Sequence, residues 1–233
     1  MRLDEPGSVA WQYATEANLE ARRSLYANSE GPDPRELAFE AVAEIAPVRV
    51  LEVGGGPGEL AARIGAELGA TVVMVDVSER MVELAREKDV DARVGDVQKF
   101  PFADGEFDCA VAAWMLFHVP DLDRGLAELV RVLCPAGRLI AATNSEGHLR
   151  ELREIVGSGP WARVFTRENG AEILRWHFGR VERRDADGWI TIDDEQVVRR
   201  YVASLGAEPA AEPPPFELPL RSRRASSVFV ATR

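Results

Sequence analysis

The sequence predicts an α/β protein: a seven-stranded, mostly parallel sheet with an antiparallel last strand, helices on both faces and a helical cap at the N-terminus. Three observations predict it. Short apolar runs alternate with amphipathic stretches from residue 49 to residue 142, and continuous apolar runs separated by helices are how strands buried on both faces read. A glycine cluster, Gly54-Gly55-Gly56-Pro57-Gly58, falls between the first run and the first helix of that series. At 233 residues the chain is also long enough to bury a sizeable core.

Residues 8–28 carry Trp11, Leu19, Leu25 and Tyr26 on spaced turns, which predicts a polar amphipathic helix. Gly31-Pro32-Asp33-Pro34 breaks it, and Asp33 before Pro34 starts a second helix that ends before Pro47. Strands follow at 49–53 and 71–76, with a helix over 60–68 closed by Gly69 between them. Ser78 caps the next helix, through Lys88; 92–94 and 107–113 are strands three and four. Asp121 or Asp123 starts a helix to Leu133, Pro135-Ala136-Gly137 turns the chain, and 138–142 is strand five. Helices around 148–156, 168–177 and 193–205 accompany two late strands, 181–184 and 227–231, with Pro213-Pro214-Pro215 in the loop before the last. Those two strands suggest an antiparallel hairpin on the sheet edge. The expected organisation is one domain over 1–233: a helical cap (1–46), a core (47–143), and acceptor-side helices with the hairpin (144–233). No internal repeat appears.

Composition excludes several classes. No apolar run approaches the ~18 residues of a membrane helix, and Met1 to Pro6 lacks the basic start and apolar stretch of a signal peptide, so a cytoplasmic protein without a membrane partner is expected. Cys109 and Cys134, with three scattered histidines, form neither a disulfide framework nor a zinc or iron–sulfur spacing, so no metal is expected. A net charge of -11 repels a phosphate backbone. The arginine-rich stretches 180–184 and 221–224 read as solvated faces or edges. A small-molecule substrate is favoured over nucleic acid, and oligomeric state is not encoded legibly.

The turn Glu52-x-Gly54-x-Gly56-x-Gly58 can be tested against two phosphate-binding patterns. The dinucleotide fingerprint needs glycine or alanine at 59, which is Glu59, and the P-loop's Gly-Lys-Ser/Thr ending occurs nowhere. Glycines let a ligand approach the main chain, and the flanking carboxylates Glu52 and Glu59 suit a ligand with positive charge. Asp76, ending the second strand, is placed to accept from both hydroxyls of a ribose. Asp96, in Gly95-Asp96-Val97, suits an adenine amino group. Together these three features at successive strand ends describe one crevice.

In these segments the sequence resembles the class I, Rossmann-like S-adenosylmethionine-dependent methyltransferases of the type 11 kind. The resemblance is carried by 50–58, by Val75-Asp76-Val77-Ser78-Glu79-Arg80-Met81, by Gly95 to Phe102, by Phe107 to Val111 running on to Met115-Leu116-Phe117-His118-Val119-Pro120-Asp121, and by 130–139. It implies that Gly54, Gly56 and Gly58 pass close to the methionine part of the cofactor, with Glu52 near its amino group. It implies that Asp76 holds the ribose, Val77 and Met81 sandwich the adenine, Asp96 and the Val97 amide read its edge, and Ala113 offers a carbonyl to the ammonium. Gly55 stands where the family often has cysteine, and Cys134 where lysine or arginine is common.

The activity implied is methyl transfer to a small-molecule acceptor, O- or C-directed or N-directed, leaving S-adenosylhomocysteine. The other readings are a cofactor-binding regulatory module and a protein or RNA methylator. In-line displacement at an activated methyl needs chiefly positioning, and a hydroxyl acceptor gains from a general base. His118, after the fourth strand, is the candidate base. Tyr13, Trp114 and His148 are candidate acceptor-side residues, and Tyr13, Arg22, Arg23 and Tyr26 a candidate lid. His177 closes a helix and reads as structural.

Overall fold

A computed structural model describes residues 16–157, 164–204 and 215–233, with the side chains of Glu16 and Ala17 left out. Trp11, Tyr13, the start of the predicted first helix and Pro213-Pro214 lie outside the described residues.

The elements are α1 (Glu16–Ser24), β1 (Ser29–Glu30), α2 (Pro34–Ala43), β2 (Arg49–Val53), α3 (Glu59–Leu68), β3 (Thr71–Asp76), α4 (Glu79–Arg86), β4 (Asp91–Val94), β5 (Phe107–Ala113), a 3-10 turn (Leu116–His118), α5 (Leu122–Val132), β6 (Leu133–Asn144), α6 (Arg150–Ile155), α7 (Gly170–Arg175), β7 (Arg180–Ile192), α8 (Glu195–Ser204) and β8 (Leu220–Thr232). They form one sheet of eight strands in the order β1-β7-β8-β6-β5-β2-β3-β4. Strands β6, β5, β2, β3 and β4 run parallel, while β8, β7 and β1 are each antiparallel to the neighbour that attaches them.

The inner parallel strands β2, β3, β5 and β6 are buried on both faces, to which successive side chains alternate, while the edge strand β4 buries only Ala92. Leu51 and Val53 enter the core that Leu126, Leu129 and Leu174 cover, while Val50 faces Ala38, Val42 and Ile64 on the other side. The predicted caps hold: Asp33 accepts from the Arg35 N–H, Ser78 from Met81, and Asp121 from Arg124.

The structure corrects the sequence reading at the late strands. The expected four- and five-residue strands are thirteen residues each, and an eighth strand, β1, pairs with β7 through Ser29↔Ile190 and Glu30↔Trp189. Charged residues on one face of β7 hide the alternation, in which Ala186, Ile190 and Ile192 point inward. The extra length has a purpose. β6 leaves β8 at Asn144↔Ser226, but β7 and β8 stay paired to Ile192↔Leu220, so their ribbon overruns the carboxyl edge of the parallel strands. A second small core rests there, with Leu25, Leu149, Leu152, Ile190, Val198 and Tyr201 drawn from α1, α6, β7 and α8 and their flanks.

The solvated reading also fails for Arg224, which is 2% exposed; its guanidinium donates to the carbonyls of Glu30 and Pro32 and ties down the entrance to α2. Arg221 and Arg223 are exposed as expected.

Candidate cofactor and acceptor site

Because β2 to β6 are parallel, the segments after each of them meet at one edge. β2 leads outward to β3 and β4, whereas β5 and β6 lie on the other side of β2. The strand order therefore reverses between β2 and β5, which is where α/β sheets open a ligand crevice. On one side of that point lies the glycine turn and on the other Trp114-Met115, with Met115 so close that a Cβ on Gly54 would fall 2.7 Å from it.

The turn is bonded inward. Gly54 N–H donates to Val75 O at 2.7 Å, Gly56 N–H to Asp76 Oδ2 at 3.0 Å, and Gly58 N–H to Gly55 O at 3.1 Å, while Lys88 Nζ holds Pro57 O at 2.8 Å. These three N–H groups are thus engaged within the protein rather than fanned out as a phosphate nest, in keeping with Glu59 and the missing lysine. Gly56 and Gly58 sit at φ 57 and 76, which glycine adopts without strain. A Cβ on Gly58 would lie 2.6 Å from that of Ala85, whereas one on Gly56 meets nothing within 4 Å. Gly56 is the point where the main chain faces open space.

Asp76 stands beside it, 9% exposed. Its Oδ1 accepts from Ser78 N–H at 2.9 Å and its Oδ2 from Gly56. Burial raises its pKa, and the N–H groups of Ser78, Gly56 and Val77 oppose the shift. Each oxygen keeps a further lone pair for a ligand hydroxyl. The apolar Val77 is 57% exposed next to it. Gly95 N–H donates to Asp76 O at 3.0 Å, which brings Asp96 alongside; the Asp96 carboxylate is exposed and accepts from the Gln98 N–H and side-chain amide. Met81 and Val97 present their side chains to the interior, 0% and 5% exposed.

Glu52 reaches the turn from below. It is 2% exposed, accepts from the Ala61 N–H in the first turn of α3, and lies 2.8 Å from where a Cβ on Gly55 would sit. Gly58 caps α3 without a side chain, and Glu52 supplies a side-chain acceptor to the first turn of that helix. Burial, with Asp76 adding to it, pushes its carboxyl up to about 8, and its Oε2 is enclosed without a hydrogen-bond partner. Glu59, the other flanking acid, is held by Arg23 in a two-pronged pair at 2.6 Å, so both carboxylates act within the protein.

On the acceptor side, Ala113 ends β5 level with Ala142 of β6. Trp114 follows at φ 56, a conformation costly for a bulky side chain. Its N–H donates to Ala142 O at 2.8 Å and its indole N–H to Asn144 Oδ1 at 3.0 Å. His118 ends the 3-10 turn, half-buried, its ring 4.5 Å from that of Phe117. His148 is 3% exposed rather than on the surface. Its Nδ1 accepts from Ala225 N–H at 3.1 Å, so that nitrogen bears no proton and the protonated Nε2 donates to Tyr26 Oη at 2.9 Å. His177 pairs with Asp123 at 3.0 Å, away from the edge.

Asn144, the Tyr26–His148 pair and the Arg23–Glu59 clamp leave no pattern in the sequence. The residue types were visible, but the contacts join segments far apart in the chain. Among the described residues no group of three or more His, Cys, Asp or Glu side chains is placed to hold a metal ion, and no helix is long and apolar enough to cross a membrane.

A glycine turn at the switch point, followed by an acid at the end of the next strand, is the arrangement of a class I nucleoside-cofactor domain. The relatives sharpen that class. Residues 51–141 match the family model of the type 11 "Methyltransferase domain". The ubiquinone/menaquinone biosynthesis C-methyltransferase UbiE of Pseudomonas entomophila is 37% identical over 102 residues, which cover 40% of this chain and 40% of that protein. The chain thus matches well under half the length of that relative. A crystal structure of an S-adenosylmethionine-dependent methyltransferase from Thermotoga maritima superposes with a TM-score of 0.63 at 22% identity, covering 96% of this chain and 99% of that one. A Haemonchus contortus N-methyltransferase, solved with phosphomonomethylethanolamine and S-adenosylhomocysteine, gives 0.67 at 17% identity, covering 100% and 60%. These two share the fold.

Proposed function

We propose that the chain transfers a methyl group from S-adenosylmethionine to a small-molecule acceptor at carbon or oxygen. The observation that carries the proposal is the open main chain at Gly56 beside the anchored Asp76 carboxylate, at the point where the strand order reverses. The cofactor supplies an activated methyl on a sulfonium. Gly56 allows it close to the backbone, with Gly54 and Gly58 shaping the turn on either side; Asp76 accepts from its ribose hydroxyls, Val77 flanks its adenine above the buried Met81, and Asp96 with the Val97 amide reads the adenine edge. The Ala113 carbonyl faces the ammonium. Glu52 supports the turn and the start of α3 from beneath.

Bound there, the cofactor would present its sulfonium methyl to the acceptor's nucleophilic atom, and His118 would take the acceptor's proton. Alignment of the two supplies most of the acceleration. The likeness to a C-methyltransferase over the cofactor half supports a carbon nucleophile.

Calorimetry with S-adenosylhomocysteine tests the site. Asp76→Ala is expected to weaken binding about 100-fold, by loss of charge-assisted hydrogen bonds and of the Gly56 anchor; unchanged affinity removes the ribose assignment. In an acceptor screen read by S-adenosylhomocysteine release, His118→Ala is expected to lower turnover by about 10²-fold or more and leave cofactor affinity within about twofold. A wild-type rate removes His118 as the base.

A further inference from the structure

We infer that Asn144 recognises the methyl acceptor, and that it takes a hydrogen-bond-accepting oxygen on it, such as a phenolate, enolate or carbonyl oxygen near the reacting atom. The inference rests on the methyltransferase reading and narrows its substrate class.

Asn144 ends β6 and is half-buried. Its Oδ1 accepts two hydrogen bonds, from Trp114 Nε1–H at 3.0 Å and from Ser226 Oγ–H at 2.8 Å. A carboxamide accepts at one end and donates at the other, and an indole N–H can only donate. Turning the amide over would set its N–H group against the indole donor, so its orientation is fixed. The Nδ2 group, with two N–H donors, then faces away from both partners. It has no partner among the described residues and is not enclosed.

The strand register says where those donors open. Ala113↔Ala142 puts Trp114 and Asn144 at the same edge, and Met115 continues from Trp114 onto Gly54. Gly54, Met115, Trp114 and Asn144 therefore form one wall across the reversal point, with Asn144 on the side away from Asp76 and Asp96. Three neighbouring carboxylates are engaged, Glu168 with Ser145 Oγ and Glu146 N–H, Asp185 with Ser227 and Arg183, and Asp187 with Arg167, while that of Glu146 is exposed. The outward-facing Nδ2 is itself a neutral donor, which suits an electron-rich oxygen and offers nothing to an ammonium. A donor there also stabilises negative charge on that oxygen as the acceptor loses its proton.

The test begins with S-adenosylhomocysteine binding to the wild-type protein; its failure would overturn the methyltransferase reading itself. The loaded protein is then titrated with 2-naphthol and 4-hydroxyacetophenone, and with 2-naphthylmethylammonium as the cationic counterpart. The oxygen probes are expected to bind roughly tenfold or more tightly than the cation. Asn144→Asp keeps one oxygen for Trp114 and Ser226 and replaces the outward donor with an acceptor. It is expected to weaken the oxygen probes by about tenfold and to strengthen the ammonium, with S-adenosylhomocysteine affinity within about twofold. Ser226→Ala removes one of the two donors that fix the amide and is expected to narrow the discrimination by about threefold; it carries the test if the aspartate variant does not fold. Equal binding of the cation by the wild type, no binding of any probe to the loaded protein, or discrimination unchanged in the variants overturns the inference.

Discussion

Around Gly56, the polar groups of the crevice are held mostly by main-chain N–H and carbonyl groups that are near one another in sequence or in the sheet; Gly56 to Asp76 spans 20 residues and Pro57 to Lys88 spans 31. Around Asn144 and His148 they are held by side chains that meet across 82 residues, from Ser226 to Asn144, and across 122, from Tyr26 to His148. The cofactor side is built from backbone and therefore tolerates little change in shape. The acceptor side is built from side chains on the β7–β8 ribbon and its small core, where one substitution can alter what is recognised without disturbing the parallel strands. A common cofactor half and a variable acceptor half follow from that division of material.

Glu52 gives the largest expected effect and tests whether the cofactor side is as closed as its bonding indicates. The folded chain holds its carboxyl up to about 8, above its ordinary 4.5. Between those values the folded state keeps a proton that the unfolded state has lost. Its contribution to stability is present in full below about 4.5 and is lost as pH rises through about 8. Glu52→Gln should flatten the fall in unfolding free energy between pH 5 and 8, a fall of up to about 4 kcal/mol in wild type. Asp76, raised in the same direction, keeps the variant's slope from vanishing. Urea melts at three pH values measure this, and equal slopes in both proteins would show that Glu52 is ionised in the fold.

That residue also marks the limit of legibility. The strand ends, the glycine turn, Asp76 and the helix caps could be read because each depends on neighbours within about one βα unit. The acidic character of Glu52 was equally plain, but its direction was not: strand alternation turns it toward α3 and Met74, beneath the turn it flanks. The late strands were shortened in the reading because Arg180 to Asp187 carry mostly charged side chains, and their inward partners alternate with them at wide intervals. Asn144 and His148 carry no local pattern. Their orientation comes from partners distant in the chain, Trp114 and Ser226 for Asn144 and Tyr26 and Ala225 for His148.

A middle-sized effect is expected at the Tyr26–His148 pair, which joins the small core to the sheet. His148→Asn keeps an acceptor for the Ala225 N–H and loses the bond to Tyr26; Tyr26→Phe loses the same bond from the other side. Each should cost about 1 kcal/mol, and the double variant little more than either one. His148→Leu should cost more, since it leaves the buried Ala225 N–H unpaired. Additive single costs would show that the two rings contribute separately.

The smallest effect in stability is expected where the two halves touch. Arg23 holds Glu59 behind the glycine turn after β2, and one turn later Tyr26, whose N–H donates to Arg23 O, reaches His148 after β6. The segment from Arg23 to Tyr26 is thus tied to the chain after β2 and after β6, the two strands that flank β5. The Arg23–Glu59 pair is about half exposed, so Arg23→Ala should cost less than about 1 kcal/mol in an unfolding melt. Its effect on exchange should be easier to see: a strap pinned at one end only should let S-adenosylhomocysteine dissociate about two- to fivefold faster in stopped flow. High salt should bring the wild-type rate toward that of the variant, because the pair is screened while the Tyr26–His148 bond is not. If dissociation is the same in both proteins at low salt, the clamp belongs to the fold alone and the strap does not gate the crevice.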